Sequence, residues 1–365
     1  MPNVSQERTP NLPMIGTVLA VQANYYRVQL DGDGPQVGER DLLCTRRSRL
    51  KKLSQQVMVG DRVRIEEPDW QGLRGAIAQV FPRQTQLPRP PVANANQILL
   101  MFALAEPALD PQQLTRFLIT AATTPLKMVL CLNKAELISP DQQERWRDRL
   151  REWGYEPIVI SLYTQIGLTQ LHHQLQNQLT VVAGPSGVGK SSLINHLIPQ
   201  LDVRVGAVSD RWGQGRHTTR HVELFELPSG GLLADTPGFN QPQLDCSPQA
   251  LVTYFPEATQ RLAQSDCQFK DCLHRDEPNC VVRGNWERYP YYLDLLTEVL
   301  AHQAQKNAMA NPESPLKLKT KQQGSAQYEP KLETKKYRRS SRRSQQQALQ
   351  DLYLEAEDVE FQNQL

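Results

Sequence analysis

One nine-residue stretch constrains the fold of this chain more than any other part of its sequence. Residues 184–192 read GPSGVGKSS and fit the phosphate-binding pattern G-x4-G-K-[ST] at every fixed position. An apolar run at residues 179–183 precedes the motif, and residues 192–198 carry apolar side chains at helical spacing after it. A strand, a glycine-rich turn and a helix in this order surround a phosphate with backbone N–H groups. The sequence therefore predicts a nucleoside triphosphate site rather than a glycine-rich turn that binds nothing.

The residue types of this loop indicate what each part of it contacts. Lys190 reaches the β- and γ-phosphates, and the hydroxyl group of Ser191 is a candidate ligand of Mg²⁺. The predicted nucleotide contacts of the loop are Gly184, Pro185, Ser186, Gly187, Val188, Gly189, Lys190, Ser191 and Ser192.

Length and composition limit the class of protein. A chain of 365 residues is long enough for two or three domains, and its 41 basic and 39 acidic residues leave a net charge of only +2. The first 13 residues lack the apolar core of a signal peptide, and the longest apolar run, residues 98–105, is too short to cross a bilayer. We expect a cytoplasmic protein without a membrane partner.

Residues 14–91 show short β-like runs between glycines, which is typical of a small barrel of the OB type. A dense basic loop at residues 46–52 lies between the second and third predicted strands. OB barrels bind single-stranded nucleic acid through a basic groove and aromatic side chains, so we predict RNA contact here; the alternative is a solvated basic loop. The predicted strands are residues 15–21, 25–30, 61–65 and 76–80, and the candidate aromatic side chains are Tyr25, Tyr26 and Trp70.

Residues 83–91 are rich in proline and are predicted to form a linker, after which strands and helices alternate through residues 92–244. This alternation predicts an α/β fold with a doubly wound, mostly parallel sheet whose ligands lie at the carboxyl ends of the strands.

Short motifs in this region follow predicted strands. In an NKAE segment, Asn133 is predicted to contact the base edge and Lys134 to lie over the face of the base. The carboxylate of Glu136 accepts from the N1–H and N2–H₂ groups of guanine, which favours guanine over adenine. Asp235 belongs to a DTPG segment and is predicted to hold Mg²⁺, while the backbone N–H of Gly238 meets the γ-phosphate.

The loop after the P-loop helix contains two further candidates, Thr218 and Thr219, of which one hydroxyl completes the magnesium shell. Ser161 follows the predicted strand at residues 158–160 as a candidate for the base loop. The base-reading segments therefore precede the P-loop, whereas a standard GTPase has them after it. A parallel sheet can be cut and rejoined without a change in its packing, so the order predicts a circularly permuted GTPase.

A cysteine cluster follows the predicted GTPase domain. Three thiols and one imidazole within fourteen residues fit a closed structural zinc site better than scattered core cysteines: Cys267, Cys272, His274 and Cys280. Cys44, Cys131 and Cys246 have no such neighbours and are predicted to be packing thiols, and a helix over residues 291–303 closes the module.

The chain beyond residue 305 is rich in Gln, Ser and Lys, and we expect it to be disordered alone, either as an RNA-contacting tail or as a solubilising one. The predicted organisation is a flexible N-terminus (1–13), an OB-fold RNA-binding domain (14–91), a permuted GTPase domain (92–244), a zinc-binding domain (245–304) and a basic tail with an acidic end (305–365). We expect a monomer.

With these motifs in this order, residues 14–302 resemble the bacterial small-ribosomal-subunit biogenesis GTPases of the RsgA (YjeQ) family. The resemblance implies an enzyme that hydrolyses GTP to GDP and phosphate, is stimulated by the 30S subunit, binds 16S rRNA and acts late in 30S maturation. It also implies Mg²⁺, one structural Zn²⁺ and a catalytic histidine beside the threonine loop, which here is His217, acting with Lys190 and Gly238. Its base loop corresponds to Ser161 and Leu162, with the backbone N–H of Leu162 as the contact.

Two positions depart from the family pattern: Glu136 replaces the usual aspartate, and Leu162 replaces an alanine. The longer Glu136 side chain leaves the strictness of guanine selection open. Two other hypotheses stand beside the GTPase: an RNA-binding protein switched by nucleotide with incidental turnover, and a P-loop ATPase or small-molecule kinase. The NKAE segment argues against the last of these.

Overall fold

The structure is a computed structural model that describes residues 14–32, 40–53, 55–88, 90–199, 222–235, 244–310, 316–320 and 326–330. Residues 1–301 form one compact unit, and residues 302–365 belong to a second. None of the helices in these ranges has the length and hydropathy needed to cross a membrane.

The N-terminal part of the first unit is a closed five-stranded barrel. Its strands follow the order β1-β2-β3-β5-β4 and close through pairing of β4 with β1. Alternating apolar residues point inward and pack the barrel, among them Val18, Val28 and Ile77, which are fully buried. The elements are β1 (Met14–Gln22), β2 (Tyr25–Leu30), β3 (Asp41–Arg46), the short helix α1 (Ser48–Lys52), β4 (Arg62–Asp69) and β5 (Arg74–Val80).

Three predictions for this region were incomplete or wrong. The basic stretch at residues 46–52 is not a loop, since it comprises the end of β3 and helix α1, and β3 itself was not predicted. The ring of Tyr26 is buried and supports the guanidinium of Arg46 at 5.8 Å, so it is no platform for a base. The proline-rich linker instead forms a small antiparallel pair, β6 (Gln86–Pro88) and β7 (Pro91–Ala93), because Leu87 and Val92 enter the core.

Residues 97–235 contain a mostly parallel sheet covered by helices on both faces. The strand order is β10-β9-β8-β11-β13-β12, and only β12 is antiparallel to its neighbour. Asp110 caps α2 by accepting from the backbone N–H groups of Gln112 and Gln113, and Pro111 occupies the first turn. The elements are β8 (Gln97–Ala103), α2 (Pro111–Ala122), β9 (Lys127–Asn133), α3 (Pro140–Glu152), β10 (Ile158–Val159), α4 (Leu168–Leu175), β11 (Leu179–Ala183), α5 (Lys190–Leu197), β12 (Glu223–Glu226) and β13 (Leu232–Asp235).

The barrel and this sheet are joined edge to edge. Ala20 of β1 pairs with Glu223 of β12, so the strands of both parts form one eleven-stranded sheet. An ion pair of 2.9 Å between Arg27 and Glu223 reinforces the joint, which fixes the barrel relative to the strand that begins the β12–β13 hairpin.

The C-terminal part of the first unit, residues 244–301, is a small helical module that carries the predicted metal ligands and is called the metal module; its last helix continues to residue 310. Its core contains Phe255, Trp286 and Tyr292, whose rings meet at 5.5–6.3 Å, and Ile119 of α2 joins the same core. Leu244 packs there as well. The helices are α6 (Pro248–Leu251), α7 (Pro256–Gln264) and α8 (Tyr289–Ala310), of which α8 is longer at both ends than the predicted helix.

The second unit contains a strand pair that the sequence analysis did not predict. Residues of β14 (Leu316–Thr320) pair antiparallel with those of β15 (Ala326–Pro330). The alternation of leucine and lysine in β14 favours a strand, so the tail is not without regular structure throughout.

Candidate functional site

The glycine-rich loop connects the central strand β11 to α5 as predicted, and α5 begins at Lys190, two residues earlier than the sequence pattern indicated. Gly184 and Gly189 adopt φ angles of +145° and +101°, which residues other than glycine rarely adopt. A Cβ atom at Gly184 would lie 2.0 Å from the carbonyl oxygen of Met101 in β8. Glycine is therefore required here both by conformation and by close contact with the neighbouring strand.

The ammonium group of Lys190 is held over the loop by backbone oxygens. Its Nζ atom donates to the carbonyls of Gly184 at 2.8 Å and of Pro185 at 2.6 Å. Ser191 and Ser192 follow in the first turn of α5 and are half-buried, so their hydroxyl groups lie beside the helix N-terminus. This arrangement of a cation, two hydroxyls and a helix N-terminus suits a bound phosphate chain.

Asn133 connects the base-reading segment to the phosphate-binding loop. It ends β9, is buried, and its Nδ2 atom donates to the carbonyl of Val188 at 2.9 Å. Its Oδ1 atom is buried without a hydrogen-bond partner in the part of the chain that is described. A Cβ atom on Gly189 would lie 2.5 Å from Nδ2, so the two loops touch at this point.

The next two residues of the NKAE segment point in other directions. Lys134 adopts a φ angle of +62° and donates through Nζ to the carbonyl of Glu106 in the loop after β8. Glu136 is exposed, and within the described ranges its carboxylate has no hydrogen bond or ion pair. The carboxylate is thus open to solvent at the carboxyl end of the sheet, where a ligand would lie.

The predicted base loop is tightly ordered. Ser161 is buried, and its hydroxyl oxygen accepts from the backbone N–H of Thr164 at 3.0 Å. The backbone N–H of Ala135 donates to the carbonyl of Ile160 at 3.2 Å, which holds the NKAE segment against this loop. Leu162 is half-buried. The structure therefore brings the P-loop, the NKAE segment and the Ser161 loop together at one end of the sheet.

Only the backbone of Asp235 can be placed among the remaining predicted residues of the nucleotide site. It ends β13 and pairs in register with Val182 of β11, next to the strand that leads into the phosphate-binding loop. His217, Thr218, Thr219 and Gly238 lie outside the described residues.

The four predicted metal ligands converge. The candidate ligand atoms of Cys267, Cys272, His274 and Cys280 all lie within 4.8 Å of one another. The Sγ atoms of Cys267 and Cys280 are 3.9 Å apart, and Nδ1 of His274 lies 3.5 Å and 3.3 Å from them. Ligands at about 2.3 Å from a tetrahedral zinc would be about 3.8 Å apart. The donor set and its spacing fit such an ion.

Protonation opposes metal binding at this centre. Burial raises the pKa of the Cys272 thiol to about 12, and burial lowers the pKa of His274. A bound cation would therefore displace thiol protons, while the neutral imidazole needs no deprotonation.

The sequence analysis did not identify the residues that hold the metal loop, residues 267–280, in shape. The carboxylate of Glu277 accepts from the backbone N–H groups of Leu273 at 2.7 Å and Arg275 at 2.8 Å. The hydroxyl groups of Tyr289 and Tyr292 in α8 donate to the carbonyls of His274 at 2.9 Å and Leu273 at 2.7 Å. Nothing in the spacing of these residues distinguishes them from ordinary surface and core positions.

A phosphate-binding loop on a central strand, with its base-side loops on strands earlier in the chain, defines a circularly permuted P-loop nucleotide-binding protein. Residues 80–245 match the family model of the RsgA GTPase. Over 362 residues the chain is 62% identical to the small ribosomal subunit biogenesis GTPase RsgA of Trichormus variabilis, covering 94% of this chain and 98% of that relative. It is also 41% identical to the mitochondrial RsgA 1 of Arabidopsis thaliana, covering 98% and 94% of the two chains.

Two solved structures have the same fold. The circularly permuted GTPase YloQ superposes with a TM-score of 0.65 at 27% identity, covering 82% of this chain and 99% of YloQ. YjeQ from Thermotoga maritima gives a TM-score of 0.65 at 30% identity, covering 79% and 99%. The chain belongs to the RsgA GTPase family and is a circularly permuted GTP hydrolase. The predicted family, fold class and enzyme class are confirmed, which sets aside the ATPase or kinase hypothesis.

Proposed function

We propose that this protein binds the small ribosomal subunit, hydrolyses GTP there, and assists a late step in the maturation of that subunit. The observation that carries the proposal is the 62% identity, over nearly the full length of both chains, to a small ribosomal subunit biogenesis GTPase. The joined barrel, sheet and metal module support it, because a multipart surface suits a large ribonucleoprotein partner better than a small molecule.

In the proposed nucleotide site, the NKAE segment selects guanine. Glu136 accepts from the N1–H and N2–H₂ groups of the base, Lys134 lies over the face of the ring, and Asn133 fixes both against the phosphate-binding loop. Ser161 shapes the base loop so that the backbone N–H of Leu162 can donate to guanine. The exposed carboxylate of Glu136 and the buried amide of Asn133 support this division of roles.

On the phosphate side, Lys190 neutralises the β- and γ-phosphates, and the loop N–H groups surround them. Ser191, Thr219 and Asp235 would hold Mg²⁺, which supplies charge stabilisation to the phosphate oxygens when bound. We propose that His217 orients the attacking water and that the N–H of Gly238 contacts the γ-phosphate.

The metal module holds one structural Zn²⁺ in this proposal, on three thiolates and the Nδ1 atom of His274. The tetrahedral spacing of these atoms supports zinc, and a closed set of four protein ligands supports a structural role over a catalytic one.

We further propose that the barrel and the basic tail contact 16S rRNA. Tyr25 is 53% exposed at the start of β2 and lies opposite Thr45 of β3, on the barrel face that OB folds use for nucleic acid. Unlike the buried Tyr26, its ring is available for stacking on an unpaired base. We expect the protein to act as a cytoplasmic monomer.

The test is GTP turnover by the full-length protein alone, with purified small subunits, and with large subunits as the control. We expect small subunits, and not large subunits, to stimulate GTP turnover by the protein strongly. Binding to small subunits without stimulation would instead support an RNA-binding protein switched by nucleotide, and no binding would refute the proposal.

A further inference from the structure

A buried arginine connects the metal module to the helix that precedes the base loop. Arg288 is fully buried between the metal module and the end of α3. Its guanidinium lies over the rings of Trp153 at 4.8 Å and Tyr155 at 5.2 Å. It forms an ion pair with Glu257 of α7 and donates to the carbonyl of Trp153 at 3.4 Å. A planar guanidinium makes these contacts at once, which an ammonium group cannot do.

The end of α3 and the start of α7 are in close contact beside Arg288. A Cβ atom on Gly154 would lie 2.6 Å from the Cβ atom of Pro256, so the end of α3 lies directly against the start of α7. The indole Nε1 of Trp153 also donates to Glu287 at 2.8 Å. The cap of α3 is therefore held by the module through main chain, rings and charge together.

On the module side, Arg288 directly precedes a residue that contacts the metal loop. Tyr289, the next residue, donates to the carbonyl of the metal ligand His274 at 2.9 Å. The backbone N–H of Tyr292 donates to the carbonyl of Arg288 at 2.9 Å, while its hydroxyl holds the carbonyl of Leu273. A change in the metal loop would thus act on the first turn of α8, where Arg288 lies.

On the other side, the chain leads from Trp153 to the base loop within eight residues. Strand β10 follows Tyr155 closely, and the carbonyl of Ile160 accepts from Ala135 of the NKAE segment at 3.2 Å. Hydrogen bonds, buried ring contacts and the covalent chain from Trp153 to Ile160 therefore connect the metal loop with both proposed guanine-reading segments, without passing through the phosphate-binding loop.

We propose that Arg288 is a positioning residue that couples the metal centre to the guanine-reading loops, so that metal binding and guanine-nucleotide binding strengthen each other. The inference rests on the proposed guanine and zinc sites. By linkage, the factor by which the metal tightens GDP binding equals the factor by which GDP tightens metal binding. Couplings of this kind are typically about fivefold or more.

The experiment measures both factors on the full-length protein without ribosomes. The dissociation constant of a fluorescent GDP analogue is determined with zinc bound and after its removal by a chelator. Zinc affinity is determined by competition with a chromophoric chelator, with and without saturating GDP. We expect both factors to be about fivefold or larger and equal to each other, and we expect binding of tripolyphosphate, which has no base, to change less than twofold on zinc removal.

Variants separate positioning from general stability. Arg288→Lys keeps the positive charge beside Glu257, and Tyr289→Phe removes only the hydroxyl that holds His274; in each, the coupling factor should fall below twofold. Tyr289→Phe decides the matter if Arg288→Lys does not fold. Arg116→Ala is the matched control. Its exposed ion pair with Glu298, at 2.8 Å, joins α2 to α8 of the metal module but does not involve Trp153. Its factor should equal that of the wild type.

A factor near one in the wild type, or unchanged factors in both variants, would overturn the inference. An equal loss of tripolyphosphate binding on zinc removal would also overturn it, since that result indicates general destabilisation. Absence of GDP binding by the zinc-loaded wild type would contradict the proposed function itself, whereas intact GDP binding with a factor of one contradicts only the role of Arg288.

Discussion

Replacing Glu277 with glutamine tests how the metal-binding loop is held in shape. Burial alone would raise the pKa of Glu277, but hydrogen bonds from the backbone N–H groups of Leu273, Arg275 and Asp276 outweigh it and bring the pKa to about 2. One carboxylate oxygen accepts from Leu273, and the other accepts from Arg275 and Asp276, at 2.7–3.1 Å. Glutamine has only one oxygen and must place its NH₂ group against at least one of these donors.

The magnitude follows from the pKa. A decrease from 4.5 to about 2 corresponds to about 3 kcal/mol of stabilisation, at about 1.36 kcal/mol per pKa unit. Because Glu277 is half-buried, solvent screening reduces the expected value to about 2 kcal/mol. The folded-state pKa lies below the ordinary one, so this stabilisation is complete above about pH 4.5 and is lost as the pH falls toward 2.

Amide hydrogen exchange at residues 273–276, measured at pH 7 with zinc bound, should be about thirtyfold faster in Glu277→Gln, as about 2 kcal/mol implies. Zinc transfer to a chelator should accelerate in parallel. Asp276→Asn is the matched control, because within the described residues its carboxylate has one hydrogen-bond partner, the exposed side chain of Arg275 at 2.9 Å. Wild-type exchange rates in Glu277→Gln would refute the reasoning.

Three further predictions concern the nucleotide site. Lys190→Ala should abolish GTP turnover through loss of phosphate charge stabilisation, and turnover near the wild-type rate would contradict the phosphate-binding assignment. GTP should bind better than ATP by about 1–3 kcal/mol, because adenine leaves the carboxylate of Glu136 without donors; equal dissociation constants would show that Glu136 does not read the base, and Glu136→Asp should then restore discrimination. Gly189→Ala should destabilise the protein by about 1–3 kcal/mol in urea unfolding and weaken GTP binding, whereas Gly32→Ala, with no atom within 4 Å of its new Cβ, should change neither.

Local sequence signals predicted the parts of the structure that depend on neighbouring residues. Asp110 followed by Pro111 is a typical helix start and lies where α2 begins, and the glycine-rich loop marks the junction of β11 and α5. The four candidate metal ligands fall within fourteen residues, so their spacing alone indicated a possible site. In each case the interaction closes over a short stretch of chain, where residue type and spacing carry the information.

Features that depend on distant contacts could not be predicted in this way. In β3 the exposed Leu43 follows the buried Leu42, so the sequence lacks the alternation of apolar and polar residues that predicts a half-buried strand. The sequence does not tell which face of β2 lies inside the barrel. It therefore could not distinguish the buried Tyr26 from the exposed Tyr25 as a surface for stacking. The contact of Arg288 with Trp153 joins residues 135 positions apart, and no property of either residue indicates the other.

The metal module has two connections to the proposed nucleotide site, one given by the permuted order of the chain and one by the packing of Arg288. Residues 236–243 link Asp235, on the phosphate side, covalently to the module, while Arg288 links the module to the base side. If hydrolysis acts through the covalent link, a flexible Gly/Ser spacer after Asn240 should reduce the difference in small-subunit affinity between GDP and a non-hydrolysable GTP analogue. The same insertion should leave zinc content and the metal–GDP coupling factor unchanged, because it does not touch the Arg288 contacts. Subunit affinities at fixed salt and the linkage assay on the same variant test both statements. A loss of both couplings would show that the two connections act as one, and an unchanged subunit affinity difference would exclude residues 236–243 as the route of the nucleotide signal.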